Sequence, residues 1–279
     1  MKLVSFSAAD GKIKPGALLE DAGLVVDLAA AGYADTLAVI AAGFAPANLP
    51  ETAAAHSLDA VKLHAPLSNP PRVFAIGLNY RDHAIESKMA IPTTPVVFFK
   101  LTTAIIGPGE AIVLPKNSTE PDYEAEFAFV IGKGGYRIPA SAWREHVYGY
   151  TMVNDVSARD VQLATSQWSM GKSFPTFCPL GPAIVTADEI ADPHALDVRL
   201  EIDGVEHQHS NTRELIFKIP ELIEYLSSIT PLLAGDIVST GTPYGVGLGR
   251  TPKRWLKPGE TVTIAIEGLG SLTNPVVAE

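Results

Sequence analysis

The sequence predicts an α+β fold dominated by strands, on three observations. Glycine and proline are frequent, 23 and 22 of 279 residues, which favours many turns and short strands over a helix bundle. Short runs rich in Val, Ile, Phe and Tyr recur along the chain. Helical periodicity is confined to a few segments, and no regular strand–helix–strand alternation appears, which argues against a doubly wound parallel sheet.

The chain divides, on this reading, into a small N-terminal domain (1–70) and a larger domain (71–279). Strands are expected at 1–6, 16–20 and 23–27, with Asp10-Gly11 as a turn signal between the first two. Ala-rich stretches at 33–43 and 51–56 read as helical. Leu67-Ser68-Asn69-Pro70-Pro71 reads as a linker. Beyond it come a strand at 73–77, a short helical segment at 80–87, and strands at 96–100, 124–131 and 147–155. Residues 196–202 and 205–209 form a hairpin around Asp203-Gly204, a type I′ turn signal. Ile219, Leu222, Ile223 and Leu226 recur at helical spacing in 219–229, with Pro220 in the first turn. Strands close the chain at 236–240 and 261–266.

Composition bounds the function. Apolar residues are 47% and charged residues 19% of the chain, which suits a globular protein rather than a disordered one. The net charge is −10 with no basic run, so nucleic acid is not expected as a partner. A single cysteine, Cys178, excludes an internal disulfide and fits a reducing compartment. The first residues carry no apolar signal-peptide core. The longest apolar region, 28–47, is broken by Asp35 and two glycines, so no membrane span is expected. These features together predict a cytoplasmic protein.

The sharpest chemical feature is Asp122-Tyr123-Glu124-Ala125-Glu126 at the head of an apolar strand. Alternation puts the three acids on one face and Tyr123, Ala125, Phe127 and Phe129 on the other. An isolated pair of this kind is more often a solvated strand face. Here the strand continues as AFVIGK, which predicts burial on both faces and makes unpaired carboxylates costly. Hard divalent ions take such oxygen ligands. Asp155 ends another apolar strand and gains meaning only beside Glu124 and Glu126. Ser157-Ala158-Arg159-Asp160 then reads as a capping box.

His83 and Glu86 are three apart on a short helix, where a carboxylate can orient an imidazole for acid–base work. Gly171-Lys172-Ser173 fails as a phosphate loop, because Ser166 stands where the first glycine is needed and Pro175 stops a following helix. The glycines of 241–249 lack the dinucleotide-binding spacing, but their backbone can approach a ligand closely. His207 and His209 read as an exposed hairpin edge rather than a metal site. Cys178 reads as a small buried residue.

Taken together, GLNYRDHAIE (77–86), EPDYEAEFAFVIGK (120–133), NDVSARDVQ (154–162), GKSFPTFCPLGP (171–182) and TGTPYGVG (240–247) resemble the fumarylacetoacetate hydrolase family in content, order and spacing. The resemblance runs from about residue 72 to the C-terminus. It implies a mixed β-sandwich or β-roll, usually a homodimer, using Mg²⁺ or Mn²⁺. It implies that Glu124, Glu126 and Asp155 are metal ligands and that His83, Glu86 and Lys172 are catalytic. It implies substrate contacts from Arg159, Gln162 and Thr242, and Tyr244 in the same loop is expected to contact the substrate as well. Tyr244 departs from the family, where a small residue or Lys is frequent, and the 162–172 stretch is short.

The resemblance implies small 2-oxo acids as substrates. The first expectation is metal-dependent hydrolysis of the C3–C4 bond of a 2,4-dioxo acid, an acylpyruvate or a sugar-derived 2,4-dioxo-3-deoxy acid. The second is decarboxylation of a β-keto acid such as oxaloacetate, or isomerisation or hydration of a dienoate. A ligand-binding β-domain is the non-enzyme alternative, and a binding module has no need of a general base.

Overall fold

The computed structural model describes residues 1–49, 53–87 and 89–279. Its strands are β1 (Lys2–Ser7), β2 (Ile13–Leu19), β3 (Leu24–Asp27), β4 (Ala55–Ser57), β5 (Lys62–His64), β6 (Val73–Gly77), β7 (Val96–Lys100), β8 (Ile105–Ile106), β9 (Ile112–Leu114), β10 (Pro121–Asp122), β11 (Ala125–Ile131), β12 (Val147–Asn154), β13 (Ser157–Ala158), β14 (Cys178–Thr186), β15 (Asp197–Ile202), β16 (Val205–Asn211), β17 (Ile237–Ser239), β18 (Thr261–Ile266) and β19 (Gly270–Ala278). The helices are short: α1 (Thr36–Ala41), α2 (Arg81–Glu86), α3 (Arg159–Gln162) and α4 (Ile219–Ile229). The chain is therefore strand-dominated, as the sequence predicts. No helix among the described residues is long and apolar enough to cross a membrane.

Most strands join one large mixed sheet in the order β4-β3-β2-β1-β14-β12-β11-β17-β6-β7, with β5 on β1 and β8 on β14. A five-stranded sheet, β16-β15-β18-β19-β9, packs across its centre: β15 lies against β11, β18 against β12, and β19 against β14. Phe127, Phe129, Tyr150 and Met152 meet Val198, Leu200, Ile264 and Leu272 in the core between them. The opposite face of β11 carries Ala128 and Val130 into a second core with α1 and the first strands. Strand β11 is buried at all seven positions, as its unbroken apolar run requires.

The N-terminal strands extend this same sheet, because β1 pairs with β2 on one side and β14 on the other. Strand β14 went unread in the sequence, since Pro179, Gly181 and Pro182 resemble a loop. A register irregularity opposite it, between Tyr150 and Met152, accommodates this strand in the sheet interior. The helical reading of 51–56 is corrected where it is described, since Ala55–Ser57 is an edge strand; Glu51 and Thr52 lie outside the described residues. The capping box at Ser157 is also corrected. Ser157–Ala158 pairs with Pro121–Asp122 as a strand, and the N-cap of α3 is Ala158, with no side-chain cap. The hairpin turn at Asp203 and Gly204 has positive φ at both residues, 51° and 77°, as a type I′ turn requires.

Candidate active site

The acids meet because of sheet register. Ala125 pairs with Asn154, so Glu124 just before β11 faces Asp155 just after β12, and the Asp155 amide donates to the Glu124 carbonyl at 2.9 Å. Glu126 follows on the same face. The carboxylate oxygens of Glu124, Glu126 and Asp155 lie within 4.8 Å of one another, and all three residues are buried. Asp122, on the separate short strand β10, takes a different part. Its carboxylate accepts from Arg159 Nε at 2.8 Å and from the Gly247 and Leu248 amides at 2.7 and 3.0 Å.

Cations surround the cluster on one side. Lys172 Nζ donates to Glu124 Oε2 and Asp155 Oδ2, both at 2.7 Å. A terminal nitrogen of Arg159 lies 2.5 Å from Glu124 Oε1, although its angle falls short of a hydrogen bond. Burial alone would raise the Glu124 carboxyl, but Arg159 and Lys172 overcome it and hold the group well below the usual range. Glu126 is the reverse case. Its partners are the Ser239 hydroxyl at 2.6 Å and the Gly241 amide at 3.1 Å, and burial, then Asp155 and Glu124, push it well above the usual range. A hard dication fits this demand for positive charge among buried oxygen donors.

A cavity of about 510 Å³ opens onto this cluster. Its lining brings together His83, Glu86, Glu124, Glu126, Arg159, Gln162, Lys172 and Thr242. Short helix α2 carries His83 and Glu86 on one face. His83 Nδ1 lies 3.5 Å from Glu86 Oε2 without hydrogen-bond geometry, a separation that catalytic pairs close in complexes. Gln162 Oε1 accepts from Arg159 Nη1 at 2.9 Å. Tyr244 is not brought to this cavity: it is 47% exposed and absent from the lining. The apolar wall is formed by Ile76, Phe98, Leu163 and Trp168.

Three supporting residues escaped the sequence reading. Lys100, fully buried at the end of β7, donates to Asp155 Oδ1 at 2.5 Å and to the carbonyl of Lys172. Gln208 donates to Thr242 Oγ1 at 2.8 Å and to the Pro243 carbonyl at 2.9 Å, and accepts from the Ala125 amide at 2.9 Å. It thus fastens the 240–244 loop to the head of β11. Asn79 spans the Thr240 and Phe217 carbonyls. Lys100 alone had a signal: a lysine closing the apolar run VVFFK. His207 and His209 form no metal site: His207 Nδ1 meets the Tyr123 hydroxyl at 3.0 Å, and His209 pairs with Glu206.

The model of the fumarylacetoacetate (FAA) hydrolase C-terminal family matches residues 72–277. Oxaloacetate tautomerase fahd2, mitochondrial, of Xenopus laevis is 42% identical over 99% of this chain and 90% of its own length. The crystal structure of 5-carboxymethyl-2-hydroxymuconate delta-isomerase from Mycobacterium smegmatis superposes with a TM-score of 0.84 at 37% identity, covering 100% of both chains. That of a fumarylacetoacetate hydrolase from Exiguobacterium antarcticum gives 0.88 at 36%, again over 100% of both.

Proposed function

The chain belongs to the fumarylacetoacetate hydrolase family, and from that premise we propose that it moves a proton at C3 of a small 2-oxo acid, interconverting keto and enol or dienol forms. The observation that carries this is the opposition, across one cavity, of the His83–Glu86 pair to the Glu124, Glu126, Asp155 and Lys172 cluster. The full-length similarity to an oxaloacetate tautomerase and the likeness to a muconate-type isomerase support it.

A divalent cation held by Glu124, Glu126 and Asp155 would supply counter-charge for a substrate carboxylate and 2-oxygen. The remaining work falls to side chains. His83 takes the C3 proton, the C–H electron pair becomes the C2–C3 double bond, the C2=O π pair moves onto the 2-oxygen, and that oxygen takes the proton back from the imidazolium. Glu86 orients the imidazole. Burial opposes the charge on Lys172, but Asp155 and Glu124 raise its pKa, so it stays an ammonium that steadies negative oxygen. Arg159, held by Asp122, and Gln162 and Thr242 orient the acid group.

A second reading keeps the same machinery and directs His83 at a water, giving C3–C4 hydrolysis of a 2,4-dioxo acid. The likeness to a fumarylacetoacetate hydrolase favours it. A panel of oxaloacetate, acylpyruvates and muconate-type dienoates, assayed with Mg²⁺ and Mn²⁺, tests both. Faster loss of the enol absorbance than in buffer supports the first reading. Release of a carboxylic acid and pyruvate without it would replace the first by the second. We also propose a homodimer, supported by exposed Phe99 on edge strand β7 and exposed Leu101 just after it; light scattering on wild type and Phe99→Asp tests it.

A further inference from the structure

We propose that Gly249 is a positioning residue for the His83–Glu86 pair: the space left by its missing side chain is where the Glu86 carboxylate sits. This rests on the reading of that pair given above. Glu86 closes α2, and among the described residues its ionic partner is His83 alone. Both its oxygens lie 3.1 Å from the Gly245 amide, which donates to them. A Cβ added at Gly249 would stand 2.5 Å from Glu86 Oε1 and closer still to the Cγ and Cδ atoms behind it. The carboxylate is therefore gripped between one backbone N–H and one bare α-carbon.

The grip is referenced to the acid cluster. Two residues before Gly249, the Gly247 amide donates to Asp122 at 2.7 Å, as does Leu248 at 3.0 Å. The same Asp122 carboxylate holds Arg159. Asp122 fixes the loop on the Arg159 side of the cavity, and Gly245 and Gly249 fix Glu86 on the other. The loop thereby sets where the His83 partner stands relative to the substrate-holding arginine. Small displacements of such groups are costly to catalysis.

The two glycines differ in what they require. Gly245 has φ +100° and a Cβ direction blocked by the His207 carbonyl, so its backbone alone demands glycine. Gly249 lies outside the left-handed region. Alanine suits its backbone, and the three atoms nearest to the added Cβ all belong to Glu86. Gly249→Ala therefore probes that contact.

The test is a double-mutant cycle of Gly249→Ala and Glu86→Ala, read as kcat, KM and melting temperature on the best substrate of the panel. Gly249→Ala alone should lower kcat roughly 10–100-fold, less than the roughly 10²–10⁴-fold that a general base supplies because the base itself is kept, with KM within about twofold. In the Glu86→Ala background the methyl enters emptied space, so the second change should cost nothing further. If Gly249→Ala proves too unstable to assay, the double variant should recover the melting temperature. Equal kcat losses in both backgrounds, or a double variant that does not recover, overturn the proposal. Full activity in Gly249→Ala beside a loss in Glu86→Ala overturns the proposal alone. Full activity in Glu86→Ala overturns the reading of the pair and the proposal with it.

Discussion

Lys100, which does not line the cavity, reaches Asp155 with its ammonium 2.5 Å from Oδ1 and both side chains fully buried. Asp155 is therefore held by one lysine outside the cavity lining and by another within it, since Lys172 takes its second oxygen at 2.7 Å. The acid is fixed in direction because each cation takes a different carboxylate oxygen.

Removing the Lys100 cation should be expensive. Lys100→Met leaves a buried carboxylate oxygen unpaired, which costs about 3 kcal/mol or more in comparable buried pairs. Urea unfolding measures this as a lower midpoint at an unchanged slope. A loss under about 1 kcal/mol would mean that Asp155 does not depend on Lys100.

The metal should bind more tightly as pH rises. Burial, Asp155 and Glu124 hold the Glu126 carboxyl above the usual range in the ion-free protein, so at acid pH a proton competes for the site and binding releases it. Mn²⁺ titration by calorimetry, in buffers of different ionisation enthalpy, reads both affinity and proton count. An affinity flat from pH 5 to 8 with no proton release contradicts the assignment. Glu126→Ala should abolish binding at every pH.

Proton transfer and decarboxylation should separate at His83. Replacing His83 by Ala should slow enol–keto interconversion roughly 10²–10⁴-fold. Loss of CO₂ from oxaloacetate, if the wild type supports it, needs no base to take a carbon-bound proton and should fall much less. Following enol absorbance and CO₂ release in one reaction distinguishes them. Parallel losses in both would assign His83 to substrate binding instead.

Cys178 should be inert in the folded chain. It is 1% exposed, and burial pushes its thiol up to about 12. At pH 8 roughly one thiol in ten thousand is then ionised. Iodoacetamide should leave the native protein unmodified by mass spectrometry and label it fully in urea. Native labelling on the same timescale would show that β14 opens.

Local pattern was enough for some of this protein. The alternation from Tyr123 to Phe129 already separated the core face from the acid face, because a strand has a period of two and the register cannot slip without burying the acids wrongly. Asp203-Gly204 determined its own turn, since φ is positive at both positions. The spacing of Ile219, Leu222, Ile223 and Leu226 determined α4, and His83 and Glu86 share a face because three residues nearly close a helical turn. What each side chain meets was decided only in three dimensions. The sequence put Asp122 beside Glu124 and Glu126, but the fold gave it to Arg159 and two loop amides, because Asp122 belongs to the separate strand β10 and not to β11. Lys100, Gln208 and Asn79 gained their roles from partners 34 to 161 residues away, a distance that no local pattern spans. Tyr244 turned outward although Thr242, two residues before it, lines the cavity. Strand β14 hid behind its prolines until β12 and β1 paired with it. Propensity and periodicity act over a few residues, whereas the charges that settle this site come from strands brought together by the sheet.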